Sequence, residues 1–230
     1  RTILLTLPQG KVVIELAPQF APKHVAQFIK LARAGHYNGA KFYRVIDGFV
    51  AQGGPKDGSA QDKAVPKLIL EGEFDVDKSF NFTPVQTNDM FVEHTGFKDG
   101  FALGYDSKEQ KAWMLHCPGV IAMARETGAD TATSHFYITI GQATRYLDRL
   151  MTVFGRVVYG MDHIQAIKRT DVIEGEPPVN ENDNTPMITM QLMSDVAESE
   201  RVNIEVANTN SSDYRKQLAD RRARENAFFF

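Results

Sequence analysis

The sequence predicts a mainly β protein, a closed or nearly closed antiparallel barrel with helices covering its ends. Roughly eight short runs rich in β-branched and aromatic residues occur in the first 195 of the 230 residues. Only two main helical patterns accompany them, which is too few for alternating βαβ units. Hydrophobic residues make up 43% of the chain and charged residues 24%, which is typical of a soluble domain with a substantial core.

The first predicted elements are a hairpin and a helix. Residues 2–7 and 11–16 are rich in Leu, Ile and Val, and Pro8-Gln9-Gly10 joins them as a short turn. Pro22 suits the first position of a helix, and Gly35 suits its end. Between these two residues, apolar side chains recur at the spacing of one helical face: Val25, Phe28, Ile29 and Ala32.

The other predicted barrel elements lie on both sides of a long central segment. Strand-like runs occur at 42–46, 49–52, 120–124, 135–140, 152–158 and 187–192. A second short helix fits residues 161–168, with Met161, Ile164 and Ile167 on its inner face. With the first hairpin, these runs account for the predicted strands.

The central segment differs in composition from the barrel elements. Residues 55–116 are rich in Gly, Asp, Lys, Asn and Thr, and a loop of this length is usually functional or has structure of its own. Scattered aromatic residues such as Phe74 and Trp113 predict that the segment packs against the domain and is not disordered.

We expect one domain over residues 1–195, followed by a C-terminal extension over residues 196–230. Within the extension, residues 201–206 are a predicted strand, and a helix capped by Ser212 is predicted to run to residue 225. We expect both elements to pack on the domain. The three terminal Phe residues, 228–230, are expected to pack back onto the barrel.

Charge and cysteine content exclude several classes of protein. The formal net charge is -3, which argues against nucleic acid as the main partner. No apolar run approaches the ~18 residues of a membrane-spanning helix. Cys117 is the only cysteine, so an intrachain disulfide is excluded. The chain begins at Arg1 without Met, and we expect this to be a processed or trimmed end.

Residues 42–54 contain the most suggestive group of side chains. If 42–46 and 49–52 are strands joined by the Asp47-Gly48 turn, Arg44 lies near Phe49 and Gln52. An Arg in a strand is commonly only a solvated surface residue. The pattern alone therefore fits both a surface role and a functional role for Arg44. The following Gly pair at 53–54 fits a turn better than a phosphate-binding loop.

Segment 42–54 resembles the catalytic strand pair of the cyclophilins, a family of peptidyl-prolyl cis-trans isomerases. Further segments agree with the family pattern in order: Pro-Gly-x-x-x-Met-Ala at 118–124, Ser-His-Phe-Tyr-Ile at 134–138, Tyr-Leu-Asp at 146–148, Val-Phe-Gly-Arg-Val at 153–157 and Gly-Met at 160–161. The resemblance covers most of residues 2–195, but fails over the insertion at about 75–116 and after residue 195. It implies an eight-stranded antiparallel barrel capped by two helices.

The resemblance implies a catalytic set made of Arg44, Phe49 and Gln52. A twisted X-Pro bond returns a lone pair to the proline nitrogen, and a fixed donor such as Arg44 can stabilise it. No metal or cofactor is required. Gln52 would hold Arg44 or the substrate backbone. The implied substrate-binding residues are Val50, Met123, Ala124, Arg125, His135, Tyr137, Tyr146, Leu147 and Met151.

Several residues depart from the familiar eukaryotic pattern of the family. Tyr43 replaces His, Arg125 replaces Asn, His135 replaces Gln, Tyr137 replaces Phe and Met151 replaces His. We expect Tyr43 to point away from the site, and the hydroxyl of Tyr137 to need a partner if it is buried.

The remaining departure concerns a drug that binds the family. Tyr146 stands in place of a Trp that helps to hold cyclosporin. We therefore expect weak cyclosporin binding.

The resemblance favours an active isomerase that acts on proline-containing peptides and client proteins and assists their folding. A proline-binding chaperone or scaffold with incidental isomerase activity is the alternative, and an unrelated ligand-binding barrel is a third. His94, His116 and Cys117 match no zinc pattern, so no metal site is predicted. The segments at 100–102 and 113–119 resemble a bacterial branch, which favours an exported, periplasmic location over a cytoplasmic one.

Overall fold

The computed structural model describes residues 1–142, 144–170 and 180–222. The strands are β1 (Thr2–Leu7), β2 (Gly10–Leu16), β3 (Lys41–Ile46), β4 (Val50–Gly54), β5 (Phe74–Asp75), β6 (Thr83–Thr87), β7 (His94–Lys98), β8 (Phe101–Asp106), β9 (Lys111–Met114), β10 (Val120–Met123), β11 (Phe136–Thr139), β12 (Val153–Tyr159) and β13 (Thr189–Leu192). The helices are α1 (Pro22–Arg33), α2 (Ala60–Lys63), α3 (Met161–Gln165) and α4 (Ser212–Arg222). Short 3-10 turns occupy Arg145–Leu147, Glu181–Asp183, Met193–Asp195 and Glu198–Glu200. No described helix has both the length and the apolar composition needed to cross a membrane.

Eight antiparallel strands form one curled sheet in the order β13-β1-β2-β12-β10-β11-β4-β3. The open edge of β3 meets the segment before β13, where Lys41 and Pro186 form an isolated bridge. The amide of Phe42 also donates to the carbonyl oxygen of Thr185 at 3.0 Å. The predicted nearly closed barrel is therefore confirmed, and all eight of its strands lie within a few residues of their expected positions.

The barrel core is aromatic and aliphatic, and α1 covers it. Phe28 of α1 is fully buried against the rings of Tyr37, Phe136 and Phe154. Ala21, at the start of the helix, provides no side-chain cap. Instead, the carboxylate of Glu71 accepts from two amides of the first helical turn, at 3.1 and 3.0 Å. A distant loop thus satisfies the free donors of the helix end.

The central segment forms a second antiparallel sheet and is not a loop. Its five strands lie in the order β5-β9-β8-β7-β6. The sequence analysis predicted that this region packs through its aromatic residues, but it assigned no strands there. Phe101 and Leu103 of β8 share a buried cluster with Phe20 and Val153 of the barrel region. The inserted sheet is therefore continuous with the hydrophobic core.

The C-terminal extension packs on both sheets. Val196 is buried with Leu4 and Val13 of the first hairpin, and Val202 and Ile204 pack against the same cluster. Farther along the extension, the backbone of Thr209 accepts from the hydroxyl of Thr83 in the inserted sheet at 2.7 Å, and the hydroxyl of Thr209 accepts from the amide of Gly100 at 2.9 Å.

Two predictions for the extension have different outcomes. The helix forms as α4 from Ser212, and the ring of its Tyr214 meets Phe97 of the inserted sheet. The predicted cap is wrong by one residue, because the hydroxyl of Ser211, not of Ser212, accepts from the amide of Tyr214 at 3.1 Å. The predicted strand over residues 201–206 is wrong, because this stretch pairs with no other strand. Its partly buried side chains, Val202 and Ile204, pack against Leu4 and Val13 while its backbone stays irregular. The terminal Phe residues lie outside the described residues.

Candidate active site

The hairpin of β3 and β4 brings the predicted catalytic residues together. Arg44 and Gln52 are direct partners in the ladder, and the Arg44 guanidinium donates from Nη1 to Gln52 Oε1 at 3.1 Å. The guanidinium carbon lies 5.7 Å from the ring centre of Phe49, within range of a cation–π contact. Gly48 has a φ of 67°, the left-handed conformation that glycine allows at this turn. The Arg44–Phe49–Gln52 grouping expected from strand alternation is therefore present.

A β-bulge places Tyr43 beside Gln52 as well. The ladder register shifts between Phe42 and Arg44, so that Tyr43 is the extra residue of the bulge. Adjacent residues of a regular strand face opposite ways, but a bulge re-aims one of them. As a result Gln52 donates from Nε2 to Tyr43 Oη at 2.9 Å, while its oxygen accepts from Arg44. The expectation that Tyr43 points away from the site is wrong.

The hydroxyl of Tyr43 continues this network to His135 and Asp62. Tyr43 Oη lies 2.8 Å from His135 Nδ1, and His135 Nε2 lies 3.0 Å from Asp62 Oδ1. Asp62 lies in the short helix α2, where the hydroxyl of Ser59 accepts from its backbone amide. Burial raises the pKa of Tyr43 to about 12. Sequence reasoning included His135 but missed Tyr43 and Asp62.

Apolar side chains pack together beside Arg44 and Phe49, and we call the surface that they form the apolar pocket. Val50 and Tyr137 are buried there, and Phe49, Leu147 and Met151 pack against them as partly exposed walls. The ring of Tyr146 stacks on Phe49 at 6.2 Å between centroids and leaves 56% of the residue exposed. These residues come from β4, β11 and the turn before β12, as the sequence predicted.

Beneath this pocket, the hydroxyl of Tyr137 has a buried partner. Tyr137 Oη lies 2.9 Å from His116 Nε2, and His116 Nδ1 lies 3.1 Å from Asp148 Oδ1. Burial raises the pKa of Tyr137 well above its usual value, so the hydroxyl keeps its proton. The sequence analysis expected a partner for this hydroxyl but did not identify His116.

The buried network continues into the inserted sheet region. Arg145 donates from Nε to Asp148 at 2.6 Å and pairs through Nη2 with Asp89 at 2.8 Å. The same guanidinium lies 5.1 Å from the ring centre of Phe91. Asp89 and Phe91 lie between β6 and β7, so the insertion reaches the pocket wall.

A second groove of about 480 Å³ extends from Gln52 past β10 and β11. Its lining includes Ala124, Arg125 and His135, three of the residues expected to bind the substrate. The amide of Ala124 donates to the carbonyl oxygen of His135 at 2.8 Å. The guanidinium of Arg125 donates to Leu150 O at 3.1 and 3.0 Å, which ties this wall to the turn that carries Met151.

Met123 is the exception among the predicted substrate-binding residues. It is 1% exposed and belongs to the barrel-core cluster, not to the cluster that lines the pocket. Its neighbour Ala122 faces the pocket instead, opposite Tyr137 in the ladder. Because strand side chains alternate, one of these two neighbours must point inward. The assignment of the Met123 side chain to the substrate surface is wrong.

One group of the described side chains has ligand atoms close enough to surround a metal ion. Asp57, Asp62 and His135 each bring one such atom within 4.8 Å of the others. Asp62 and His135 are hydrogen-bonded to each other, and the second ring nitrogen of His135 bonds Tyr43. These contacts satisfy both ring nitrogens without an ion.

The comparisons with known proteins agree with the geometry. Residues 2–189 match the family model described as cyclophilin type peptidyl-prolyl cis-trans isomerase/CLD. A probable peptidyl-prolyl cis-trans isomerase of Brucella suis is 35% identical over 173 residues, covering 73% of this chain and 71% of its own length. A human peptidyl-prolyl cis-trans isomerase-like 1 is 29% identical over 180 residues, covering 78% and 86%.

Solved structures show the same fold. The cyclophilin AquaCyp293 from Hirschia baltica superposes with a TM-score of 0.71 at 30% identity, covering 87% of this chain and 76% of that chain. A Cryptosporidium parvum cyclophilin type isomerase, solved in the presence of the dipeptide Ala-Pro, gives a TM-score of 0.55 at 16% identity, with 84% and 98% covered. The second likeness concerns the fold alone.

Proposed function

The chain belongs to the family of cyclophilin-type peptidyl-prolyl cis-trans isomerases, and we propose that Arg44 is its catalytic donor and that it acts on client proteins during folding. The observation that carries the proposal is the Arg44 guanidinium, held by Gln52 beside Phe49, whose ring packs with the apolar side chains of Val50, Tyr137, Leu147 and Met151.

To catalyse this reaction, the protein needs only to lower the barrier to rotation about the X-Pro bond. Rotation about an X-Pro bond is slow because amide resonance imposes about 18–20 kcal/mol, while the two isomers differ by roughly 0.5–1 kcal/mol. At the twisted transition state, the proline nitrogen regains a lone pair. The Arg44 guanidinium would donate to this nitrogen and stabilise the twisted amide more than either planar one.

The surrounding residues would position the substrate. Phe49, Val50, Leu147 and Met151 would enclose the proline ring, with Tyr137 as the floor of the pocket. The peptide before the proline would lie along the groove at Ala124, Arg125 and His135. These residues follow the end of β10 and precede the start of β11.

The first test is isomerisation of a short peptide with an Ala-Pro-Phe core, measured for the native chain and Arg44→Ala. We expect Arg44→Ala to lower kcat/KM by about 10²–10³-fold, the loss seen when a comparable transition-state donor is removed. Arg33→Ala is the matched control, since Arg33 is an exposed Arg paired with Asp195. Circular dichroism establishes that each variant is folded. An Arg44→Ala variant as active as the Arg33→Ala control would refute the role of Arg44.

An exposed apolar surface supports a role in binding client chains. Met90 and Phe91 at the tip of the insertion are 88% and 49% exposed, and the ring of Phe91 lies against Arg145, the residue before Tyr146. Large exposed apolar residues grouped beside a binding pocket are typical of interaction sites. We infer that this surface contacts apolar side chains of an unfolded client near its proline.

Point variants test this surface better than removal of the insertion, because the inserted sheet shares a core with the barrel. We expect the Met90→Ser and Phe91→Ser double variant to slow refolding assistance for a proline-limited protein several-fold while leaving turnover of the short peptide unchanged. Ile188→Ser is the control, an apolar residue with 50% exposure outside the insertion. If refolding assistance stays intact in the double variant, the surface has no part in client binding.

Two further expectations concern the drug and the location. Tyr146 stacks on Phe49 in place of the Trp of the familiar pattern, so we expect weak cyclosporin binding that Tyr146→Trp strengthens. Calorimetric titration of both proteins measures this, and equal affinities would contradict it. The exported location stays a prediction, which fractionation of cells that produce the protein would test.

A further inference from the structure

The groups beyond Gln52 form a hydrogen-bonded chain whose direction can be assigned. From its far end, the chain runs through Asp62, His135, Tyr43, Gln52 and Arg44, with successive separations of 3.0, 2.8, 2.9 and 3.1 Å. An ionised carboxylate only accepts hydrogen bonds, and a guanidinium only donates them. The two ends of the chain therefore constrain everything between them.

The direction follows step by step from Asp62. Because Asp62 accepts, His135 must donate from Nε2, and in a neutral imidazole Nδ1 is then the acceptor. Tyr43 must therefore donate its proton to Nδ1. The pKa of Tyr43, raised to about 12 by burial, is consistent with a hydroxyl that keeps this proton.

The orientation of the Gln52 amide follows from Tyr43. Since the proton of Tyr43 is directed at His135, its oxygen is free to accept from Gln52 Nε2. That bond turns Gln52 Oε1 toward Arg44. A flipped amide would present its NH₂ group to the guanidinium, and two donors would then face each other.

We propose that Tyr43, His135 and Asp62 are positioning residues that fix the amide of Gln52 and, through it, the guanidinium of Arg44. The proposal rests on the proposed role of Arg44 in the reaction. It accounts for the bulge at Tyr43, which brings two neighbouring side chains to one amide.

The surroundings of His135 favour a fixed ring. A Cβ on Gly54 would lie 2.7 Å from His135 Nδ1, so the backbone of β4 packs closely against the imidazole. Asp57 lies near Asp62 on one side, and His36 is a further charged neighbour in its protonated state. Only Asp62 and Tyr43 bond the ring among the described residues.

The test compares His135→Gln with His135→Leu. Gln can accept from Tyr43 through its oxygen and donate to Asp62 through its nitrogen, so it can keep the direction of the chain. Leu fills similar space but can do neither. We expect kcat for the short peptide to fall roughly tenfold in His135→Leu and in Tyr43→Phe, with KM nearly unchanged, because a misplaced catalytic group is costly. We expect His135→Gln to restore most of the kcat that His135→Leu loses, because Gln can keep both hydrogen bonds of the chain.

A second measurement follows the amide itself. In ¹H–¹⁵N spectra, the side-chain NH₂ protons of Gln52 should change their shifts in Tyr43→Phe and keep them in His135→Gln. If His135→Leu and His135→Gln lose kcat equally, or if Tyr43→Phe is fully active while Arg44→Ala is not, the positioning proposal is wrong and the role of Arg44 stands. If Arg44→Ala is itself fully active, the role of Arg44 is wrong, and the Gln52 spectra alone decide whether the chain orients the amide.

Discussion

Two chains of Tyr, His and Asp meet the active site, and they use the imidazole in opposite orientations. In one, Tyr43 bonds Nδ1 of His135 and Asp62 bonds Nε2. In the other, Tyr137 bonds Nε2 of His116 and Asp148 bonds Nδ1. Both chains contain the same three residue types. They differ in how deeply they are buried and in the residue that each chain finally contacts.

The Tyr137 chain is buried and ends within the structure. The side chains of His116 and Asp148 are 0% and 6% exposed, and Asp148 also holds Arg145. The Tyr43 chain lies at the groove wall, where His135 and Asp62 are 13% and 14% exposed, and it ends on Arg44 through Gln52. The buried chain therefore stabilises the pocket floor, while the chain at the groove orients a reacting group.

The largest expected contrast between the chains is in stability. Replacing His116 by Leu leaves the hydroxyl of Tyr137 without a partner in the interior and removes the ring contact of Asp148, which keeps Arg145 and the backbone amide of residue 116. We expect the free energy of unfolding to fall by about 1–3 kcal/mol, the range for leaving a buried polar group without a hydrogen-bond partner. The same change at His135 should cost less than about 1 kcal/mol, as for pairs near the surface. Urea unfolding followed by circular dichroism measures both losses.

His94→Leu serves as the control for this comparison, because His94 is partly exposed and belongs to neither chain. Similar losses for His116→Leu and His135→Leu would show that burial does not separate the two chains. A stable His116→Leu variant with much reduced turnover would assign orientation, not stability, to the buried chain.

A smaller effect concerns pH and comes from histidines outside both chains. Burial lowers the pKa of His24 and of His36 below the usual 6.5 of a histidine, although Glu71 partly opposes this at His24 and Asp62 at His36. The unfolded chain thus binds more protons than the folded chain as pH falls below 6.5, and stability is lost in that direction. Between pH 7.5 and 5.5, the urea midpoint should fall in the native chain and fall less in His36→Phe. A midpoint that rises on acidification would contradict this assignment.

The barrel was predictable because each of its strands is a short apolar run bounded by turn residues. The inserted sheet was not, because its strands contain residues that usually break strands. Gly96 and Gly104 lie within β7 and β8, where an added Cβ would lie 2.4 Å from Phe82 and 2.9 Å from Trp113. These glycines make room for aromatic rings that pack on the strand. The need for glycine at these positions therefore becomes clear only once the packing of the rings from other strands and loops is known.

The same distinction applies to the site. Arg44, Phe49 and Gln52 come together through a single hairpin, so the period of a strand was enough to group them. The direction of the Tyr43 side chain was predicted wrongly, because a bulge changes the strand period at this one residue. No local sequence pattern indicates the bulge. His116 lies 21 residues before Tyr137 and pairs with it only after β10 and β11 are in register. Side-chain networks that join several elements therefore need the structure.

The most detailed prediction concerns the protons on the two imidazole rings and involves no change in stability. Because each Asp accepts from its ring, the proton should be on Nε2 in His135 and on Nδ1 in His116. Long-range ¹H–¹⁵N spectra at pH 8 distinguish the two tautomers, and His135→Gln and His116→Leu assign the signals. Asp62→Asn should disturb only the His135 signals, since Asn can donate to the ring and the direction of that chain is then no longer fixed. A His135 ring with its proton on Nδ1 would remove the directional argument for Gln52, because Tyr43 would no longer be required to donate its proton to His135.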